Sequence, residues 1–179
     1  MERKKRAIII AGKLIQDHEF IYPYYRLDEE EYEVDVAVRG KETVLGSIGV
    51  KVVPTKDYPE LKVADYDLLV IPGGAKAMEY MRQDKEILNF ISAFHASGRV
   101  IACICHGAQL LISAKLVKGR KIAGYYSIKD DIENAGGTYV DAPAVIDDRM
   151  ITTAHYKYLG PWMKAALKQV ELNLKNNMR

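Results

Sequence analysis

Along the chain, short continuous apolar runs alternate with longer amphipathic stretches. Ala7-Ile8-Ile9-Ile10, Asp67-Leu68-Leu69-Val70-Ile71 and Val100-Ile101-Ala102-Cys103-Ile104 are such runs. A run without polar alternation predicts a strand covered on both faces, as in a parallel sheet. Tyr32 to Val38 alternates instead, with Tyr32, Val34, Val36 and Val38 on one face. Helices are predicted from about Asp17 to Glu30, from Asp84 to Ala96 with Gly98 as the stop, and from Ala108 to Lys115. Ser127 is placed to cap a further helix whose Ile128, Ile132 and Ala135 share a face and which ends at Gly136-Gly137. Gly160-Pro161 starts the last helix, proline being suited to a first turn. Val44 to Val53, with Gly46 and Gly49, reads as an irregular β excursion, and Ile122 to Gly124 as a short strand. Ala144-Val145-Ile146 and Met150-Ile151-Thr152 flank Asp147-Asp148-Arg149 as a hairpin. Strands alternating with helices predict one α/β domain over 1–179, with a mostly parallel sheet and helices on both faces. Such sheets bind ligands beyond the carboxyl ends of their strands, here just after Ile10, Ile71, Ile104 and Thr153.

Composition narrows the function classes. The chain has 179 residues, 49% hydrophobic, which excludes a disordered chain. A net charge of +2 provides no basic face for nucleic acid. No apolar run approaches the roughly 20 residues of a membrane span, so no membrane partner is expected. The two cysteines lie in one tripeptide, Cys103-Ile104-Cys105, and cannot staple a secreted scaffold. A reducing, cytoplasmic setting is therefore expected.

The candidate chemistry sits at Cys103-Ile104-Cys105-His106-Gly107. Cys105 falls where a core strand turns into a helix, which lifts a nucleophile above the sheet. The helix N-terminus behind it favours a thiolate and pulls a cysteine below its free value of about 8.5. Cys103 lies inside the apolar run and is expected to be structural. His106 is placed to act as the thiol's base. Pro72-Gly73-Gly74 ends another buried strand, and the Gly74 and His106 N–H groups could form an oxyanion hole. His18, His95 and His155 show no ligand spacing with another His or Cys, so neither a metal nor a cofactor is expected. His95, late in its helix, reads as a surface cation.

Taken together, these segments resemble the ThiJ/PfpI family, in its branch of PfpI-type intracellular proteases. The resemblance rests on Glu19-Phe20-Ile21-Tyr22-Pro23-Tyr24-Tyr25-Arg26-Leu27, Ile71-Pro72-Gly73-Gly74, Ile104-Cys105-His106-Gly107-Ala108-Gln109-Leu110-Leu111-Ile112-Ser113-Ala114, Leu116-Val117-Lys118-Gly119-Arg120-Lys121 and Ile128-Lys129-Asp130-Asp131-Ile132-Glu133-Asn134-Ala135-Gly136. It implies a flavodoxin-like three-layer sandwich, related to class I glutamine amidotransferase domains. It implies Cys105 as nucleophile, His106 beside it, and homo-oligomers, dimers that assemble into hexamers. It implies a glutamate reaching His106 from a neighbouring subunit, with Glu79 as the matching residue, and Tyr125 as a residue lining the site.

The departures from the family pattern bear on the chemistry. The resemblance places the family's protonated glutamate, which meets the cysteine, at Gln16. An amide there donates a hydrogen bond but carries no proton. Around His155, the family's arginine and proline become Ala154 and Tyr156, and a later acid becomes Tyr158, so the pocket is less cationic and more aromatic. Three functions follow. The first is a cysteine hydrolase, a peptidase or amidase, ahead of a glyoxalase or deglycase because Gln16 removes a proton carrier. The second is a sensor or protective protein that oxidises at Cys105. The third is a structural or binding module with a decayed active site, whose aromatic pocket of Tyr125, Tyr156 and Tyr158 would hold a ligand, although packing at a subunit contact is the preferred reading of those tyrosines.

Overall fold

The computed structural model describes residues 3–177. Its elements in chain order are β1 (Arg6–Ile10), α1 (Asp17–Glu29), β2 (Glu33–Ala37), β3 (Val44–Leu45), β4 (Lys51–Val52), β5 (Leu68–Ile71), α2 (Ala75–Met81), α3 (Lys85–Ala96), β6 (Val100–Ile104), α4 (Ala108–Ser113), β7 (Lys121–Ile122), α5 (Lys129–Asn134), β8 (Thr138–Tyr139), β9 (Val145–Asp147), β10 (Met150–Thr153) and α6 (Leu159–Asn177). The main sheet runs β2-β1-β5-β6-β10-β9. β10 is parallel to β6 and antiparallel to β9, through the expected hairpin at Asp148. The other pairings in this sheet are parallel. This is the expected flavodoxin-like α/β fold. The helices α1 and α6 cover one face, and α3 and α4 the other.

The central strands behave as their apolar runs predict: every residue of β5 and β6 is buried. Trp162 on α6 is 0% exposed, and its indole N–H donates to the Ile151 carbonyl at 3.2 Å. That bond satisfies the one polar atom of a large side chain packed behind β10. Trp162→Ala should cost about 3–5 kcal/mol, as expected for deleting a buried aromatic. Urea unfolding measures this, and a loss below about 1 kcal/mol would contradict the packing described.

The sequence missed α2, and the predicted Ile122–Gly124 strand is only the two-residue β7, paired in parallel with β8. Val44 to Val53 resolves into the short antiparallel pair β3 and β4. The expected cap at Ser127 is not formed: a 3-10 turn, Tyr126–Ile128, leads into α5, and neither receives a side-chain cap hydrogen bond. His95 is not a free surface cation either. It lies 3.0 Å from an Arg120 guanidinium nitrogen, and burial together with that positive charge holds its pKa below the usual histidine range. Its Nε2 therefore accepts from Arg120.

Candidate active site

Strand order reverses direction between β1 and β5, and the crevice above such a switch point is where α/β sheets bind ligands. A cavity of about 360 Å³ opens there. Each strand end singled out above contributes to it: Leu14 and Gln16 after β1, Gly74 after β5, Cys105 and His106 after β6, His155 and Tyr156 after β10. The segment after β7 adds Tyr125.

Cys105 is held in the elbow that its sequence predicts. Its φ is 61°, in the left-handed region that a residue bearing a Cβ occupies at a cost. The backbone N–H groups of His106 and Gly74 face its sulfur and favour its thiolate. The His106 ring lies beside the thiol, with Sγ 3.4 Å from Nδ1. Cys103, by contrast, is wholly buried within β6, as expected of a structural residue.

The carboxyl that meets the thiol is Glu19, and the expectation that Gln16 holds this place is overturned. Gln16 is the N-cap of α1: its side-chain oxygen accepts the otherwise unpaired N–H groups of His18 and Glu19, at 2.7 and 3.4 Å. Glu19, one turn further along the helix, is 0% exposed and points to the end of β5. Its Oε2 accepts the Gly73 N–H at 2.6 Å, and its carboxyl lies beside the Cys105 thiol, which favours its charged form. Oε1 is buried without a hydrogen-bond partner. The glycine is what permits this approach. A methyl group at Gly73 would lie 2.5 Å from Glu19 Oε2, 2.8 Å from Cys105 Cβ and 3.0 Å from His106 N.

Burial raises the Glu19 pKa from the usual carboxylate range to about 7, against the pull of the Gly73 N–H and the thiol. Two residues earlier, Asp17 shows the opposite balance. Burial pushes it up too, but hydrogen bonds from Ile48 N–H, Val50 N–H and the Ser47 hydroxyl outweigh that push and leave it below the usual range. Asp17 is thereby a structural anion that ties the β3–β4 turn to the helix start, and Glu19 a carboxyl poised to change protonation near neutrality. The Cys105 thiol is pushed up, first by burial and then by the Glu19 carboxylate; the His106 and Gly74 N–H groups oppose this. The sequence foresaw the lowering contribution of the backbone and not the larger raising ones. Protonation of Glu19 removes the neighbouring charge that, after burial, opposes the thiolate.

His106 is half-buried, and burial holds its pKa below the usual histidine range. Its ring stacks on Tyr125, with centroids 4.6 Å apart, and its Nε2 lies 3.4 Å from Ser127 Oγ. Aromatic rings continue along the cavity rim: Tyr125 to His155 at 6.1 Å, His155 to Tyr156 at 4.1 Å, Tyr156 to His18 at 4.9 Å. Tyr158 is absent from the cavity lining. Within this single chain Glu79 does not join the site. It lies on the exposed side of α2, paired with Lys76 at 2.5 Å. Among the described residues, no group of three or more His, Cys, Asp or Glu side chains is placed to hold a metal ion. The sequence missed Glu19 as the thiol's partner and Ser127 as a neighbour of His106. The first was visible only as an acid one turn into a helix, and the second carried no signal.

A fold of this topology with a cysteine elbow and a buried glutamate fits one family by comparison. Residues 5–169 match the DJ-1/PfpI family, and the chain belongs to it. It is 35% identical to the Deglycase PfpI of Pyrococcus furiosus over 163 residues, 91% of this chain and 98% of that one. It is 37% identical to the Putative cysteine protease YraA of Bacillus subtilis over 153 residues, 84% of this chain and 88% of that one. Among solved structures, a two-domain protein of Anabaena variabilis with DJ-1/ThiJ/PfpI-like and ferritin-like domains superposes with a TM-score of 0.91 at 30% identity. The match covers 94% of this chain and 48% of that longer chain.

Proposed function

We propose that the protein is a cysteine-dependent enzyme acting on small reactive aldehydes, of the deglycase or glyoxalase kind, with Cys105 as nucleophile. The observation that carries this reading is the buried Glu19 carboxyl against the thiol, with a pKa of about 7. Near neutral pH such a group exists in both forms and can take a proton and return it. Gln16 carries no proton, but Glu19 does, and so aldehyde chemistry ranks ahead of hydrolysis. A cavity of about 360 Å³ also suits a small molecule better than a peptide.

With a 2-oxoaldehyde, Cys105 Sγ adds to the aldehyde carbon. The S–C bond forms as the carbonyl π pair moves to oxygen, and His106 Nδ1 accepts the thiol proton and passes it to that oxygen, which returns the ring to its neutral form. The N–H groups of Gly74 and His106 would hold the developing oxyanion. Glu19 removes the hydrogen on the carbon bearing sulfur as a proton, and the electron pair passes through an enediol to the neighbouring carbonyl. The carbon of that carbonyl then receives the proton back from Glu19, while the hydroxyl on the sulfur-bearing carbon gives its proton to the neighbouring oxygen, which leaves a 2-hydroxyacyl thioester. Water, deprotonated by His106, breaks the S–C bond and releases the 2-hydroxy acid and the thiol. The oxidation of one carbon balances the reduction of the other, and water is the only co-reactant.

Hydrolysis of an amide or peptide is the second reading, supported by the same Cys105–His106 contact. In an oligomer Glu79 would reach a neighbouring subunit's His106 to complete a triad for it. The deciding experiment is the conversion of methylglyoxal to lactate by purified protein, followed by chiral chromatography. Turnover by the wild type and none by Cys105→Ala is expected. Cleavage of peptides or amides without aldehyde turnover would establish the second reading instead.

A further inference from the structure

We propose that Ser127 is a positioning residue for His106: its hydroxyl accepts the Nε2–H and so keeps Nδ1 free to take the proton of Cys105. The proposal rests on the reading of Cys105 and His106 as nucleophile and base.

The two ring nitrogens of His106 have one polar neighbour each. Nδ1 lies 3.4 Å from Cys105 Sγ, and Nε2 lies 3.4 Å from Ser127 Oγ. A neutral imidazole has one donor and one acceptor nitrogen, and the group at the second nitrogen decides which is which. Burial favours that neutral form here, and no charged group contributes to the shift. Among the described residues, no carboxylate therefore orients the ring. A hydroxyl accepts as well as donates, so Ser127 can stabilise the tautomer protonated at Nε2. In that tautomer the lone pair of Nδ1 faces the thiol.

The segment carrying Ser127 is tied to the nucleophile. Tyr125 N–H donates to the carbonyl of Cys105 itself at 3.1 Å. The Tyr125 ring stacks on the imidazole, 25° from parallel. One residue beyond Ser127, Ile128 is buried, and its N–H closes the turn on the Tyr125 carbonyl at 3.0 Å. The serine is thereby fixed between a backbone contact to Cys105 and a buried anchor. Its hydroxyl is not spent on capping α5 or the turn before it. Contacts of 3.4 Å are long for a hydroxyl and an imidazole, as is usual before substrate draws a catalytic site together.

The test is ¹⁵N NMR of histidine-labelled protein, which reports the tautomer of His106 directly, alongside turnover of methylglyoxal. Ser127 is exposed, so its substitution leaves the core untouched. In the wild type the Nε2–H tautomer should predominate. In Ser127→Ala the two tautomers should become comparable, kcat should fall by about fivefold, and KM should hold, as for loss of one hydrogen bond. Ser127→Thr, which keeps the hydroxyl, should restore both readouts. An unchanged tautomer in Ser127→Ala overturns the proposal. So does a tautomer that collapses in Glu79→Gln while Ser127→Ala leaves it intact. If the wild type turns over no aldehyde but the tautomer still depends on the hydroxyl, the positioning role stands and the proposed reaction falls.

Discussion

Cys105→Ala is expected to reduce aldehyde turnover by at least about 10⁴-fold, as removal of a covalent nucleophile does elsewhere. Cys103→Ala is expected to leave turnover within a few-fold, because that thiol lies inside β6 and reaches no solvent. Steady-state kinetics on the two variants separates the members of one tripeptide. Equal losses would contradict their assigned roles. A second consequence concerns stability. Cys105 holds φ at 61°, where an L-residue is strained by about 1–2 kcal/mol and glycine is not. Cys105→Gly should therefore unfold at higher urea than Cys105→Ala, by up to about 1 kcal/mol after glycine's greater unfolded-state entropy is subtracted. An alanine variant of equal or greater stability would show that the elbow stores no strain.

Glu19→Gln should separate thiol reactivity from catalysis. The substitution removes the carboxylate that raises the Cys105 thiol, so alkylation by iodoacetamide at pH 8 should be as fast as in the wild type or faster. Turnover should nevertheless fall by about 10²–10⁴-fold, because an amide neither takes nor returns a proton. Slower alkylation together with unimpaired turnover would refute the role assigned to Glu19. The same variant carries a pH signature. Burial raises the folded-state pKa of Glu19 from 4.5 to about 7. The stability tied to its protonated form is complete below the unfolded-state value and is lost as pH rises through about 7. The glutamine cannot ionise and escapes that loss. Glu19→Gln should match the wild type at pH 4 and exceed it at pH 8, by up to about 3 kcal/mol. Thermal unfolding across that range measures the difference, and a constant difference would mean that Glu19 does not titrate as described.

The parts of the fold legible in the sequence were those with strong periodicity. The runs around Ile9, Val70 and Ala102 could only be buried strands, and three such strands joined by amphipathic helices define the sheet. The hairpin at Asp147-Asp148-Arg149 was legible because apolar runs flank a polar turn. Local signals failed where tertiary contacts decide. Ser127 has the residue type of a cap, yet its hydroxyl faces His106, because Tyr125 is held by the Cys105 carbonyl. Gln16 and Glu19 are both polar residues near a helix start. Which of them is buried depends on where Gly73 arrives from 54 residues away. The nucleophile announced itself through a strand breaking directly into a helix. Its proton partner did not, since burial, the property that tunes it, belongs to the assembled sheet.

The strand order β2-β1-β5-β6-β10-β9 also sets a timetable for a chain emerging from its N-terminus. β1 ends up inside the sheet, yet only β2 among its two neighbours is made soon after it; the other, β5, is completed at Ile71. Until then the strand end that covers the Glu19 carboxyl is missing. The burial that raises its proton affinity is complete only once the end of β5 is in place, and the thiol joins it later still, with β6. The reactive cysteine thus meets its proton partner only in a chain that has already made and docked its central strands.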